Sequence, residues 1–238
     1  MKIALCLFGQ PRWLDNPFTY QSLKDQILSK YDNVDVYMHI WITPPNEYTE
    51  TYFNGGNWQP SKGKGVELVN AKEILLDRYA PKKYKFEKQK HFDFSSIPGI
   101  EKMHWYQKEN ELPLLSQIYS ANESIKLIED LNSYNFIIRT RTDVYYDTFP
   151  DLYSIRDQGL WVTDRYPGLT DVVIIGTPTH IKYLLIDSDL GELVENMAIF
   201  TPEELLKSIY YSHTTTPHKY INMNVGLVRS NTLEGIQY

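Results

Sequence analysis

The sequence predicts an α/β fold with a mixed, mostly parallel central sheet flanked by helices. A strand, a helix and a second strand follow one another near the start of the chain, and such a βαβ unit normally makes a parallel pair. Later apolar runs typical of buried strands are mostly separated by segments of helical periodicity. Because no linker, internal repeat or low-complexity stretch divides the 238 residues, we expect one domain over residues 1–238.

Hydrophobic periodicity defines the N-terminal unit. Residues 2–8, KIALCLF, are an apolar run typical of a buried strand that ends at GQPR. Residues 18–31 predict a helix, and 34–42, VDVYMHIWI, predict a second strand. The first run is too short for a signal peptide and lacks a small-residue cleavage site, so it is predicted as a strand.

The middle of the chain is less regular. Residues 43–65 have no periodicity and predict a long loop, a kind of segment that is often functional. Residues 71–79 predict a short helix and 82–88 a strand. Residues 89–112 read as irregular.

The clearest helix is predicted at 112–131, where apolar residues recur every three or four positions. The apolar run Phe136-Ile137-Ile138 then predicts a strand that continues into RTRTD. Further strands are predicted at 159–164, 171–177 and 222–230, and further helices at 179–186 and 202–212.

Composition bounds the class of protein. The net charge of −6 argues against a general nucleic-acid binder, so no nucleic-acid partner is expected. Cys6 is the single cysteine, which rules out a disulfide framework within the chain and fits a reducing, cytoplasmic location. No apolar run approaches the roughly 18 residues that a transmembrane segment needs.

The segment NFIIRTRTDVYYD suggests a functional site. Side chains alternate along a strand, so Arg139, Arg141 and Asp143 should share one face, with Thr140 and Thr142 on the other. Ligands of open α/β sheets bind at the carboxyl ends of the strands. Two guanidiniums beside a carboxylate suit a substrate that carries phosphates. The alternative is an Arg/Asp ion pair that closes a strand, and the local pattern leaves both open.

Four segments in this order resemble the nucleotide-sugar-dependent glycosyltransferases of the GT-A fold, which is a Rossmann-like fold. They are KIALCLFGQPRW, DVYMHIW, LLSQIYSANESIKLIED running into YNFIIRTRTDVYY, and TDVVIIGTPTHI with the later TPEELL. The pattern is most similar to small bacterial and large-virus members, including WavE-like lipopolysaccharide-synthesis relatives, and spans most of residues 2–206. It implies a hexosyl- or deoxyhexosyltransferase of polysaccharide biosynthesis. The donor would be a nucleoside-diphosphate sugar and the acceptor a glycan or glycoconjugate hydroxyl, in the cytoplasm or at a membrane surface that presents the acceptor.

In these enzymes the aspartates of a D-x-D motif hold a divalent metal against the donor diphosphate. Asp143 corresponds to the last of them, so the resemblance implies that it holds Mn²⁺ or Mg²⁺. Arg141 stands where the first aspartate would be. One carboxylate binds a metal less strongly than two, whereas an arginine neutralises phosphate charge itself, so the metal requirement stays open.

The resemblance assigns nucleotide binding to the loop Gly9, Gln10, Pro11 and Arg12. Gly9 permits close backbone approach and Arg12 can reach base or phosphate. A plain turn is the alternative. Arg141 lies about 6.6 Å nearer the carboxyl end of its strand than Arg139, so we expect Arg141 at the diphosphate and Arg139, also a donor-site candidate, deeper in the sheet.

Two further pairs are candidates for the donor site. Trp41 and His39 share a strand face and can line the pocket, although a core position is the alternative for each. Gln117 and Ser120 flank the apolar stripe of the long helix and are expected to face the nucleotide sugar. A solvated helix edge is the alternative for this pair.

In the resemblance, the segment that begins at Asp171 borders the acceptor side, where an inverting enzyme keeps its base. Asp171 is the first candidate to take the proton from the acceptor hydroxyl, with Asp164 and Glu203 as rivals and a turn-capping aspartate as the alternative. His213 and His218 approximate the C-terminal metal ligand of the family, and exposed loop histidines are the alternative.

Two other functions stay open. A nucleotidyltransferase on a similar sheet would need a longer, Gly/Arg/Lys-rich first loop than GQPRW. A catalytically inactive carbohydrate- or nucleotide-binding module is favoured by the arginine at position 141.

Overall fold

The structure is a computed structural model that describes residues 1–12, 14, 16–42, 70–88, 111–163, 169, 172–185, 202–228 and 236–237. Side chains of 111–115, 202, 228, 236 and 237 are not described. The predicted loop 43–65 and the candidate bases Asp164 and Asp171 lie outside these residues.

The described residues form two sheets. Their strands are β1 Ile3–Gly9, β2 Val34–Trp41, β3 Lys83–Glu87, β4 Phe136–Arg141, β5 Val144–Thr148, β6 Leu160–Val162, β7 Val173–Gly176, β8 Lys219–Tyr220, β9 Asn224–Val228 and β10 Ile236–Gln237. Seven of these strands form a mostly parallel sheet in the order β3-β2-β1-β4-β7-β6-β8. The β1/β2, β1/β4, β2/β3 and β6/β8 pairs are parallel, whereas β7 runs antiparallel to β4 and β6. The second sheet, in the order β10-β9-β5, is antiparallel.

Helices cover both faces of the large sheet. They are α1 Pro17–Leu23, α2 Ala71–Tyr79, α3 Glu111–Lys126, α4 Pro178–Lys182 and α5 Pro202–His213. One core contains side chains from α3, α4 and α5. The other core contains side chains from α1, α2 and the small sheet. The predicted α/β fold with a mostly parallel, helix-flanked sheet is therefore confirmed.

Strand β1 lies at the centre of the sheet, and its apolar residues are buried on both faces. Leu5 and Leu7 face the core of α1 and α2, whereas Ala4 and Cys6 face α3, α4 and α5. A strand enclosed in this way reads as a continuous apolar run rather than an alternating one. This explains why KIALCLF looked like a buried strand in the sequence.

Three helices end before their predicted C-terminal bounds. The helix predicted at 179–186 ends at Lys182. The predicted helix 18–31 is α-helical only to Leu23 and continues as a π-helical turn, Lys24–Leu28, in which the Ser29 amide donates to the Lys24 carbonyl over 2.8 Å. The helix predicted at 112–131 ends at Lys126. Periodicity predicts which side is buried but does not register a change in hydrogen-bond spacing or a frayed last turn.

Strand β5 was not predicted from the sequence. It follows β4 after a two-residue turn, and the charged residues at the end of β4 obscure where a new strand begins. It pairs with β9, and the Tyr146 and Thr140 hydroxyls lie 2.6 Å apart in the core. Thr140 thus points away from α3, as the predicted alternation requires. Within the part of the chain that the structure covers, no helix has the length and apolar character to cross a membrane.

Gly176 permits a close contact between β7, β6 and α4. A Cβ built there would lie 2.7 Å from Ile181 Cγ1 and 2.9 Å from Leu160 Cδ1. Gly176→Ala should therefore lower the free energy of unfolding by about 1–3 kcal/mol through overpacking, as measured by urea denaturation. Gly159→Ala is the matched control, because its nearest atom, on the Trp161 ring, would lie at 3.3 Å. Equal stability of the two variants would contradict the prediction.

Candidate functional site

The strand order creates a switch point beside β1. The chain moves from β1 to β2 and β3 on one side, and then returns to place β4 on the other side. In open α/β sheets, ligands bind in the crevice outside the carboxyl ends of the strands at such a point. Phe8 is paired with Arg141, so the loop after β1 and the residues after β4 meet there.

Gly9 begins the loop and has φ of 96°, a conformation that favours glycine. Among the described atoms, no heavy atom lies within 4 Å of the place where a Cβ would be. A ligand can therefore approach the backbone here. The Gly9 amide donates to Ser120 Oγ of α3 over 2.9 Å, so this amide is held by the protein.

Hydrogen bonds shape the rest of the loop. The Arg12 amide donates to the Gln10 carbonyl over 2.8 Å, and Arg12 Nε donates to Gln10 Oε1 over 2.7 Å. Thr142 Oγ1 donates to the Gln10 carbonyl over 3.1 Å, which ties the loop to the end of β4. Pro11 between them is buried. Thr142 was not among the predicted site residues, although its position directly before Asp143 offered a signal.

Arg141 and Asp143 form a two-point ion pair. Arg141 Nε donates to Oδ1 over 2.8 Å and Nη2 donates to Oδ2 over 2.6 Å. The carboxylate is buried, and the arginine side chain is 16% exposed. The ion pair that was the alternative interpretation of RTRTD is thus present. The pair also fixes the guanidinium plane at the crevice beside the ends of β1 and β4. A strand-closing ion pair and an arginine that binds phosphate are therefore compatible interpretations of RTRTD.

Arg139 lies deeper, as the strand spacing predicted. Its side chain is buried, with the guanidinium carbon 5.1 Å from the centre of the Phe8 ring. Its strand partner on β1 is Cys6. Burial raises the pKa of the Cys6 thiol, and the Arg139 charge opposes that rise. Arg139 therefore packs against the sheet, closer to the core than Arg141.

The β2 candidates lie between the sheet and α3. His39 is fully buried, with Nδ1 2.8 Å from Ser120 Oγ and Nε2 2.8 Å from Glu87 Oε2. Trp41 is also buried, donates from Nε1 to the Ser116 carbonyl over 3.2 Å, and stacks on Tyr119. The rings of His39, Trp41 and Tyr119 therefore pack together behind the loop that follows β1.

Ser120 connects these packed rings to the loop that follows β1. Its side chain is fully buried, and its hydroxyl contacts the Gly9 amide and both the ring and the carbonyl of His39. Gln117, one turn earlier in the helix, is half-buried. Glu87 and Tyr119 also contact the His39 ring. Neither residue was predicted from the sequence, because β3 and the half-buried side of α3 contain no motif.

The remaining candidates lie towards the other edge of the sheet. Glu203 is half-buried at the start of α5. His213 is exposed and stacks on Tyr183, and His218 Nδ1 lies 2.8 Å from the Tyr211 hydroxyl. The adjacent strand β8 is separated from β4 by β7 and β6. These histidines are therefore not part of the switch-point cluster.

No known protein family and no curated protein matches this chain. Within the described ranges, no three His, Cys, Asp or Glu side chains are grouped so that they could hold a metal ion.

Proposed function

We propose that this chain is a glycosyltransferase of the GT-A type that transfers a sugar from a nucleoside-diphosphate donor to a glycan or glycoconjugate hydroxyl. One observation carries the proposal. The open backbone at Gly9 and the Arg141–Asp143 pair come together at the carboxyl ends of β1 and β4. A flat, positively charged group beside an accessible backbone suits a diphosphate.

In this proposal the arginines stabilise the leaving group. Negative charge develops on the diphosphate as the sugar departs, and donors that are already oriented stabilise that charge most effectively. Asp143 orients Arg141 through the two hydrogen bonds, and Gln10 orients Arg12 through one. Arg141 would meet the diphosphate, Arg12 the base or a phosphate, and Arg139 would support them from below.

The described donor atoms do not fit a preformed metal site. Asp143 is the single carboxylate at the end of β4, and both of its oxygens accept hydrogen bonds from Arg141. Mg²⁺ bound with a substrate diphosphate uses one or two carboxylates together with phosphate oxygens. Each carboxylate oxygen carries two lone pairs, so Asp143 could still offer one to a metal, but the remaining ligands would have to come from the substrate diphosphate and solvent.

We assign the acceptor base to Asp171, with Asp164 and Glu203 as rivals. A carboxylate on the acceptor side would take the hydroxyl proton as the oxygen attacks the anomeric carbon. The amino end of β7, two residues after Asp171, lies beside Thr140 of β4. Glu203 lies in the first turn of α5 instead, which favours Asp171 over Glu203.

A second candidate is a module that binds a nucleotide or a carbohydrate without turnover. The observation that favours it is the engagement of both Asp143 oxygens by Arg141. Such a pair is neutral overall, and it offers a phosphate oriented hydrogen-bond donors rather than a carboxylate that acts in chemistry.

A thermal-shift screen tests the proposal. The full chain is heated with UDP, GDP, dTDP or CMP and with their sugars, in Mn²⁺ or in EDTA. A ligand at about 100 times its dissociation constant should stabilise the fold by about 2.7 kcal/mol. Because the arginines carry part of the charge, we expect the shift to fall only partly in EDTA. Complete loss of the shift in EDTA would contradict this expectation and show that nucleotide binding requires a metal.

Turnover separates the two candidate functions. Release of free or transferred sugar from the stabilising donor marks the transferase, and stabilisation without release marks the binding module. Absence of a shift with every nucleotide and nucleotide sugar would contradict both.

A further inference from the structure

We propose that His39 is a positioning residue that acts through Ser120 on the Gly9 amide, so that the charge on the His39–Glu87 pair is coupled to the shape of the loop after β1. The importance of that loop for a nucleotide rests on the function proposed above. The coupling itself rests on hydrogen bonds within the protein.

The connection is continuous. The Gly9 amide donates to Ser120 Oγ over 2.9 Å, Ser120 Oγ lies 2.8 Å from His39 Nδ1, and His39 Nε2 lies 2.8 Å from Glu87 Oε2. Ser120 and His39 are fully buried, so the bond between them in the middle of the connection is shielded from water. The connection joins the loop to β3, at the described edge of the sheet, through α3 and β2.

Ser120 has one hydroxyl proton and two nearby acceptors. The His39 carbonyl lies at 2.9 Å and Nδ1 at 2.8 Å. When the ring is neutral and Nε2–H donates to Glu87, Nδ1 is an acceptor and takes the Ser120 proton. The Gly9 amide then donates to an oxygen that is itself donating, an arrangement in which successive hydrogen bonds strengthen one another.

Protonation of His39 reverses the middle bond. The ring then carries a proton on each nitrogen, and Nδ1–H donates to Ser120 Oγ. The Ser120 proton turns to the His39 carbonyl, so one oxygen accepts from both the charged ring and the Gly9 amide. The Gly9 bond should therefore be weaker when His39 is charged.

The surrounding charges determine when His39 gains its proton. Glu87 contacts the ring, Lys85 pairs with Glu87 over 3.1 Å and with Glu123 over 2.9 Å, and the Tyr119 hydroxyl donates to Glu87 over 3.2 Å. Burial lowers the pKa of His39, and Glu87 opposes this effect. The ring is thus neutral at pH 7 and charged in acid.

A pair of serine variants tests the connection. Ser120→Ala should speed hydrogen–deuterium exchange of the Gly9 amide, followed by NMR, by roughly threefold to tenfold, because the amide loses its acceptor. Ser124→Ala is the matched control. It is the same substitution in the same helix at an equally buried position, and its hydroxyl donates to the Ala121 carbonyl. Equal exchange at Gly9 in the two variants would overturn the proposal.

A pH titration of the unmodified chain provides a test that does not depend on a variant. The amide shift of Gly9 should titrate with the same midpoint as the ring nitrogens of His39. In Glu87→Gln both midpoints should move together to lower pH, since the carboxylate that favours the charged ring is gone. A Gly9 shift that stays flat while His39 titrates would contradict the coupling.

Nucleotide affinity connects the coupling to function. With the nucleotide that gives the largest thermal shift, Ser120→Ala should raise the dissociation constant by about threefold to tenfold and Ser124→Ala should leave it unchanged. Failure of every nucleotide to bind would reject the proposed function while leaving the Gly9 measurements valid. Faster Gly9 exchange with unaltered affinity would reject the role of His39 in positioning the loop for nucleotide.

Discussion

Asp143→Ala should reduce sugar transfer by on the order of 10² or more, the scale for losing one contact that acts in the transition state. Without the carboxylate, Arg141 loses the two hydrogen bonds that fix its guanidinium plane at the end of β4. The reduction should appear in the turnover rate with the donor that the thermal-shift screen identifies, while the variant still folds.

Asp147→Ala is a suitable control for this variant. Asp147 is an exposed carboxylate on β5, four residues along the chain, and accepts a hydrogen bond from Asn224. Its removal should leave turnover within about twofold of the unmodified chain, because the charge it removes is screened by solvent. Near-normal turnover in Asp143→Ala, with a cooperative melt, would mean that the ion pair only closes the strand.

Arg139→Lys should destabilise the fold by about 2–4 kcal/mol, the range for disturbing a buried charge. Lysine keeps the charge but lacks the flat guanidinium that lies over the Phe8 ring. Arg141→Lys should lower the melting temperature less than Arg139→Lys does and raise the donor dissociation constant about tenfold, because lysine keeps a charge beside Asp143 but loses the two-point fork.

Melting temperature and nucleotide affinity, measured for both lysine variants, separate the roles of the two arginines. If Arg139→Lys loses the nucleotide and Arg141→Lys loses the fold, the assignment of depth to function is wrong. The site would then lie further back along β4 than the switch-point geometry indicates.

The middle of the central sheet could be predicted because β1, β2 and β4 are largely buried and are separated by helices along the chain. Periodicity alone therefore identified β1, β2 and β4. The small sheet was harder, since β5 starts within two residues of a charged strand end and acquires its pairing from β9, 76 or more positions along the chain. A local pattern contains no information about such a partner.

The site was predictable to a similar extent. The general rule that ligands bind at the carboxyl ends of strands was sufficient to predict that Gly9, Arg12, Arg141 and Asp143 lie near one crevice. The contact of Ser120 with Gly9 and His39 was not predictable, because it depends on the rotation of α3 over β1 and β2. The sequence could indicate a polar helix edge there but could not show which backbone group it would meet.

Placing β4 beside β1 has a consequence for synthesis. Strand β1 leaves the ribosome before β4 and can pair with β2, but its second neighbour is made about 130 residues later. At roughly 5–20 residues per second, the other edge of β1 waits on the order of 7–26 s for that neighbour. During this delay an apolar strand edge is exposed to other nascent chains. We therefore expect chaperone binding to concentrate on chains arrested before residue 136, and to decline once β4 has emerged.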